Sequence, residues 1–198
     1  MKNSPYPAAP SPALATADST RPTNVRWRIF LILLLLAAIN YIDRASLSVA
    51  LPLISAEFEL TPALEGLILS AFFWSYALMQ IPSGMLLDRF QVRNIVGVAT
   101  VGWGAFQALG GFAHNWITLL VTRIGLGVAE SPIMPAGAKL NGAWLTPNER
   151  GRGATLVDGG APLGTAFGAI IIAGLITWFD SWRIAFIIAG VGTVVVGI

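Results

Sequence analysis

Hydrophobic and polar positions in this chain change on a long wavelength. Apolar runs about 20 residues long, the length that carries a helix across a bilayer, are separated by short polar breaks. They predict six helices, over Trp27–Leu51, Ala63–Leu87, Asn94–Ala113, Trp116–Trp144, Gly153–Trp178 and Trp182 to the last residue, Ile198. The sixth run holds about 17 residues, with no flanking charge or helix stop, so the chain is expected to end inside it as a fragment. The fourth is the longest and carries Gly125, Gly127, Pro132, Pro135 and Gly137, residues that allow close helix approach and local breaks. The first 24 residues, rich in Pro, Ala, Ser and Thr, lack this periodicity and read as a disordered tail. The predicted organisation is a tail over 1–24 and a six-helix membrane unit over 25–198. Six spans could divide into two triplets of opposite orientation, an arrangement common in secondary transporters. The triplets share no clear sequence match beyond buried charges in spans one and four.

Composition agrees with the pattern. The chain is 55% hydrophobic and only 11% charged, against roughly a quarter charged in an ordinary soluble domain. Its lack of cysteine excludes disulfide frameworks, thiolate metal sites and cysteine nucleophiles. The net charge of +2 is small, and no nucleic-acid partner, metal or cofactor is expected. Lys2, Arg21, Arg26, Arg28, Arg89, Arg93, Arg150 and Arg152 all fall on one side of the predicted spans, opposite Glu57, Glu59, His114 and Asp180. By the positive-inside rule the N-terminus is then cytoplasmic, in a multi-pass protein of the inner (plasma) membrane.

Against this background Asn40-Tyr41-Ile42-Asp43-Arg44 stands out, because it places an acid and a base inside an apolar run. Ionisable residues at membrane depth are costly and mark ion or substrate paths. At about 1.5 Å per residue, Asp43 and Arg44 lie roughly 24 Å from the cytoplasmic end of span one, near the level of Arg123 in span four. Glu130 lies two turns further on the face of Arg123. The four predict one polar seam, with Asp43 pairing to Arg123 or Arg44, a guanidinium offering a planar fork to an incoming carboxylate, and Glu130 a lower acid able to carry a proton. Tyr76, Gln80 and Ser83 make a polar stripe on span two, and Tyr41, Arg44 and Ser48 one on span one; interhelical bonding is the simpler role for Ser48 and Ser83. Asp158 reads as a second buried acid or, slightly preferred, an interfacial first-turn residue. The turn from Gly84 through Asp88 and Arg89 to Arg93 reads as a structural gate, with Asp88 capping the next helix or meeting a base, for which Glu149-Arg150-Gly151-Arg152 is a candidate source.

Gly84 to Arg93 resembles the signature between helices two and three of the major facilitator superfamily, with Gln91 in place of its second Gly and Asn94 in place of its last base. Asn40 to Arg44 followed by Leu47-Ser48 and Pro52, with Arg123-Ile124-Gly125-Leu126-Gly127 followed by Glu130-Ser131-Pro132, is similar to the anion:cation symporter family of organic- and sugar-acid permeases. The resemblance implies an all-α membrane protein, the amino-terminal half of a twelve-helix fold whose C-terminal six-helix half is missing here. It implies proton-coupled symport of a small organic anion, a sugar acid or aromatic acid, by alternating access. By position, Arg44 would bind the carboxylate with Tyr41, Tyr76 and Gln80 lining the cavity; Asp43 and Glu130 would couple protons, and Arg123 would be the charge partner of Asp43. An organic-anion exchanger and a non-transporting six-helix module remain alternatives. An enzyme is remote, because His114 is the sole histidine and no nucleophile–base spacing appears.

Overall fold

A computed structural model describes residues 24–198; the predicted tail, but for Asn24, lies outside them. The described residues form eight helices: α1 (Val25–Phe58), α2 (Pro62–Arg89), α3 (Val92–Gly110), α4 (Trp116–Glu130), α5 (Ile133–Trp144), α6 (Arg150–Asp158), α7 (Gly160–Phe179) and α8 (Trp182–Gly197). No strand occurs among them, and the fold is all-α. The six predicted spans are present, two of them interrupted. Span four breaks at Ser131-Pro132 between α4 and α5, where the proline offers no N–H, and span five breaks at Gly159 between α6 and α7. Four rods, α1, α2, α4–α5 and α6–α7, are long and apolar enough to cross a membrane, and α8 is a shorter apolar helix.

Two boundaries differ from the sequence reading for local reasons. Helix α1 continues past Leu51 to Phe58 with Pro52 inside it, so the proline removes one backbone bond, that to Ser48, without ending the helix. Helix α6 begins at Arg150 rather than Gly153, the basic loop supplying its first turn.

The turns opposite the basic end are sharply specified. Glu59 closes α1 in the left-handed region, at φ 51° and ψ 48°. Thr61 caps α2 with Pro62 at its first position, Asn115 and Thr118 form a reciprocal capping box on α4, and Ser181 caps α8. Such caps satisfy amide groups that the start of each helix leaves free.

Packing follows the two-triplet pattern. Helix α1 lies parallel to α7 and α2 parallel to α4, and these two contacts exchange when the first three rods are exchanged with the last three; α3 and α8 pack antiparallel against each other. The triplets share no clear sequence match, so the correspondence resides in the packing. Glycine makes the tightest contacts possible. At Gly127 an added Cβ would stand 2.5 Å from the Phe72 carbonyl and against the Ser75 side chain. At Gly164 it would stand 2.7 Å from Cβ of Tyr41. Three apolar clusters fill the bundle: one around Ile54, Ile68, Leu119 and Phe186, a central one around Phe72, Trp103 and Leu126, and one around Phe30, Leu145 and Val157 at the basic end.

Candidate functional site: a charged seam beside a central cleft

Asn40, Asp43 and Arg44 share one face of α1, at spacings of three and four. Asn40 and Arg44 reach α4 while Asp43 meets α3 and α8, and the seam is buried: Asp43 and Glu130 are 0% exposed and Arg123 is 2% exposed. Arg44 reaches across to Glu130, its Nε and Nη2 both donating to Glu130 Oε2 at 3.4 Å. Asn40 Nδ2 donates to the same oxygen at 2.5 Å. The rise per residue places Glu130 well below Arg44, yet the side chains meet. Side chains lean toward the N-terminus of their own helix, and α1 and α4 run in opposite senses, so Arg44 and Glu130 lean toward each other.

This pairing corrects the expected one. Asp43 makes no ion pair within 4 Å with either arginine among the described residues. Its Oδ2 instead accepts from Trp103 Nε1 at 2.9 Å and from Thr193 Oγ1 at 3.4 Å. Arg123 is joined to it only through neutral groups. Arg123 Nη2 donates to Gln107 Oε1 at 3.2 Å, Gln107 Nε2 donates to Ser46 Oγ at 2.8 Å, and Ser46 Oγ donates to the Asp43 carbonyl at 2.6 Å. The Arg123 guanidinium also lies 4.9 Å from the Phe186 ring centre. The indole and amide of α3 thus occupy the ground on which a direct Asp43–Arg123 contact was expected.

The guanidinium of Arg44 is enclosed on its other sides by aromatic rings. It lies 4.7 Å from the ring centres of Tyr41, Phe72 and Tyr76 alike, within range for cation–π attraction. Its side chain is 16% exposed, toward a cleft of about 340 Å³ lined by Tyr41, Arg44, Ser48, Phe72, Arg123 and Thr165 among others. That volume is at the lower end of small-ligand pockets. The cleft brings one cation from α1 and one from α4 to the same space, with hydroxyls at Tyr41, Ser48 and Thr165. It suits a small anion bearing hydroxyl groups.

The other sequence candidates fall as follows. Tyr76 stacks behind Arg44 and does not line the cleft, and Gln80 makes no side-chain hydrogen bond among the described residues. Ser83 bonds Ser131 at 2.6 Å, pinning α2 to the break in span four, the interhelical role foreseen for it. Asp158 is exposed at the end of α6 and is not a second buried acid. Asp88 does not cap α3, whose first turn follows Gln91. Asp88 pairs with Lys139 Nζ at 3.0 Å, and Lys139 also donates to the Leu87 carbonyl at 2.5 Å. The Glu149 loop is engaged elsewhere, Glu149 pairing with Arg26 at 2.7 Å. Gly84, Arg89 and Arg93 make no ion pair among the described residues. Sequence reasoning gave no part to Trp103, Gln107, Thr193 or Lys139, and none to the Asn40 side chain. A signal for the first two was present: Trp103 and Gln107 are polar-tipped residues four apart in an apolar run.

Long apolar helices around a buried charged seam define a multi-pass membrane protein with a polar path. Residues 33–198 match the Major Facilitator Superfamily, and the chain belongs to that family. It is 37% identical to an uncharacterized transporter, YybO, of Bacillus subtilis (strain 168), over 86% of this chain and 39% of the relative. It is 37% identical to the probable L-galactonate transporter of Escherichia coli (strain K12), over 87% and 38%, and 33% identical to the probable galactarate/D-glucarate transporter GarP of the same strain, over 90% and 41%. Among solved structures, a bacterial homolog of the human lysosomal transporter Spinster, inward-facing and occupied, superposes with a TM-score of 0.80 at 25% identity, covering 88% of this chain and 43% of that one. The chain spans about two fifths of the length of the curated relatives it matches. Those relatives are transporters and not enzymes, and two of them are named for sugar acids, the class suggested by the motifs of spans one and four.

Proposed function

We propose that this chain forms the first six helices of a twelve-helix secondary transporter, carrying an organic carboxylate, a sugar acid before an aromatic acid, together with protons by alternating access. The observation that carries the reading is Arg44, a guanidinium at the edge of the cleft, held to Glu130 only by contacts of 3.4 Å and clasped by three rings. A substrate carboxylate offering a planar two-point contact competes well against so long a pair. In this reading Arg44 binds the carboxylate and Tyr41 lies beside it. Tyr76 holds the guanidinium, and Gln80 faces substrate in the completed cavity. Glu130 and Asp43 take up protons, and Arg123 compensates Asp43 through Gln107. Gly84, Asp88, Arg89 and Arg93 form the gate at the cytoplasmic end, in the inner membrane with the N-terminus inside. The missing six helices would close the cleft.

The test is uptake by the complete transporter in proteoliposomes, with labelled L-galactonate, D-glucarate and benzoate as probes. An imposed proton gradient is expected to drive accumulation, which Asp43→Asn and Glu130→Gln each abolish while exchange of internal for external substrate persists. Accumulation that survives both substitutions removes the coupling roles. Exchange indifferent to the proton gradient in the unaltered protein identifies an exchanger instead.

A further inference from the structure

The carboxyl group of Glu130 is loaded unevenly. Its Oε2 receives three donor contacts, from Asn40 Nδ2 at 2.5 Å and from Nε and Nη2 of Arg44 at 3.4 Å. Its Oε1 is buried and receives none. The Asn40 amide is in the complementary condition: Nδ2 is engaged, while Oδ1 is buried with no donor. A buried acceptor without a donor is costly, and here two such atoms belong to two planar groups already joined by one hydrogen bond. Neither can satisfy the other, because an amide oxygen and a carboxylate oxygen both only accept. One proton changes this. On Oε1, the oxygen with no donor, it makes a hydroxyl that can donate to Asn40 Oδ1, while Asn40 Nδ2 continues to donate to Oε2.

We propose that Asn40 recognises the protonated form of Glu130, closing a ring of two hydrogen bonds between side-chain amide and carboxylic acid, and so acts as the positioning residue of the proton site. The proposal rests on the coupling role given to Glu130 above and adds the group that reads its protonation. The proton arrives from water admitted by the cleft, and no other covalent bond changes. The charges acting on Glu130 are Arg44 and Asp43 from α1 and Arg123 from its own helix, and Tyr76 of α2 is the remaining titratable neighbour. When Glu130 is ionised, Arg44 balances it. When it is neutral, Asn40 holds it in place and Arg44 is free for a substrate carboxylate. Asn40 therefore keeps the acid oriented during the part of the cycle in which its counter-ion is engaged elsewhere.

The test requires no substrate, so its outcome is independent of transport. Infrared difference spectra of the complete transporter in lipid nanodiscs, stepped between acid and alkaline pH, should contain a protonated-carboxyl C=O band that Glu130→Gln removes. In the unaltered protein that band should lie at the low wavenumber of a doubly hydrogen-bonded acid, and Asn40→Leu should move it to the higher wavenumber of a singly bonded or free acid. A band that stays in place in Asn40→Leu, as it would if a bridging water satisfied Oε1, overturns the proposal, and so does the absence of any Glu130-dependent band. If Asn40→Leu does not reach the membrane, Asn40→Ser serves with the same readings. A melting experiment gives a second check. The Gln side chain offers an N–H to Asn40 Oδ1 and an oxygen to Nδ2, so at acid pH, where Glu130 is protonated and no longer balances Arg44, Glu130→Gln should melt no lower than the unaltered protein while Glu130→Ala melts clearly lower. Equal losses in the two variants overturn the ring.

Discussion

The molecule holds two sets of charges, one at the ends of the bundle and one in its interior, that differ in how closely they are paired. At the ends of the bundle, Arg26–Glu149, Asp88–Lys139 and Glu57–Arg183 are close pairs, at 2.7, 3.0 and 2.7 Å, within reach of water. In the seam the charges are buried. Their contacts are long, indirect or neutral, with one ion pair at 3.4 Å and one acid contacted on a single oxygen by an indole and a hydroxyl. Exposed pairs contribute little each, about 0–1 kcal/mol, and serve to hold loops in register. Buried charges are expensive and stabilise poorly even when paired. A chain that keeps its weakest ionic contacts where charge is most costly is arranged for those contacts to change.

Five substitutions or titrations break or sharpen this contrast. Arg44→Ala should have the largest effect at alkaline pH, where an ionised Glu130 is left buried without its base at a cost of about 3–5 kcal/mol, read as a steep fall in melting temperature. Arg44→Lys should retain the fold and lose most substrate affinity, because an ammonium cannot make the planar two-point contact; unaltered affinity would remove Arg44 from the site. Trp103→Phe keeps the ring and deletes the donor to Asp43, with an expected loss of about 1–3 kcal/mol; an unchanged melting curve would show that the indole contact is dispensable. Gly127→Ala should cost about 1–3 kcal/mol through overpacking against Phe72 and Ser75, the lower values signifying that α2 can shift. Lys139→Ala should cost no more than about 1 kcal/mol, and a loss as large as that of Arg44→Ala would erase the distinction between rim and seam.

The rim also makes a prediction in pH. The Thr146 hydroxyl bonds Glu149 Oε2 at 2.8 Å and, with the Thr146 amide and nearby Arg26 and Arg152, lowers the carboxyl below its ordinary value of 4.5. A carboxyl lowered by folding stabilises the fold above its unfolded value, and that contribution is lost as pH falls through the folded value. The effect of Glu149→Gln on melting should therefore be present at neutral pH, begin to fade below about 4.5, and vanish once the pH is under the folded value. An effect that persists in acid would show that Glu149 acts by packing and not by charge.

The spans and the charged residues were legible because each rests on local pattern: run length for the helices, and an ionisable residue inside an apolar run for the seam. Who touches whom was not. The expected partner of Asp43 was an arginine because opposite charges attract, but proximity between helices is set by packing, and α3 places Trp103 and Gln107 between them. Depth arithmetic on Cα positions set Glu130 well below Arg44; opposed side-chain lean on antiparallel helices removed that separation. Lys139 was passed over for a similar reason. Its own run gave no hint that the turn after α2 would lie beside it, and only the packing of α2 on α5 makes it the partner of Asp88.

The long reach from Arg44 to Glu130 also bears on how the protein is made. The two residues are 86 positions apart, an interval of roughly 4–17 s at ordinary synthesis rates. During that time α1 has been made with an acid and a base in its apolar run, while α4, which supplies Glu130, has not. In that interval Arg44 has only groups of the earlier-made segments to answer its charge. The partner a charge has in the finished bundle is then not the partner that brought it into the membrane.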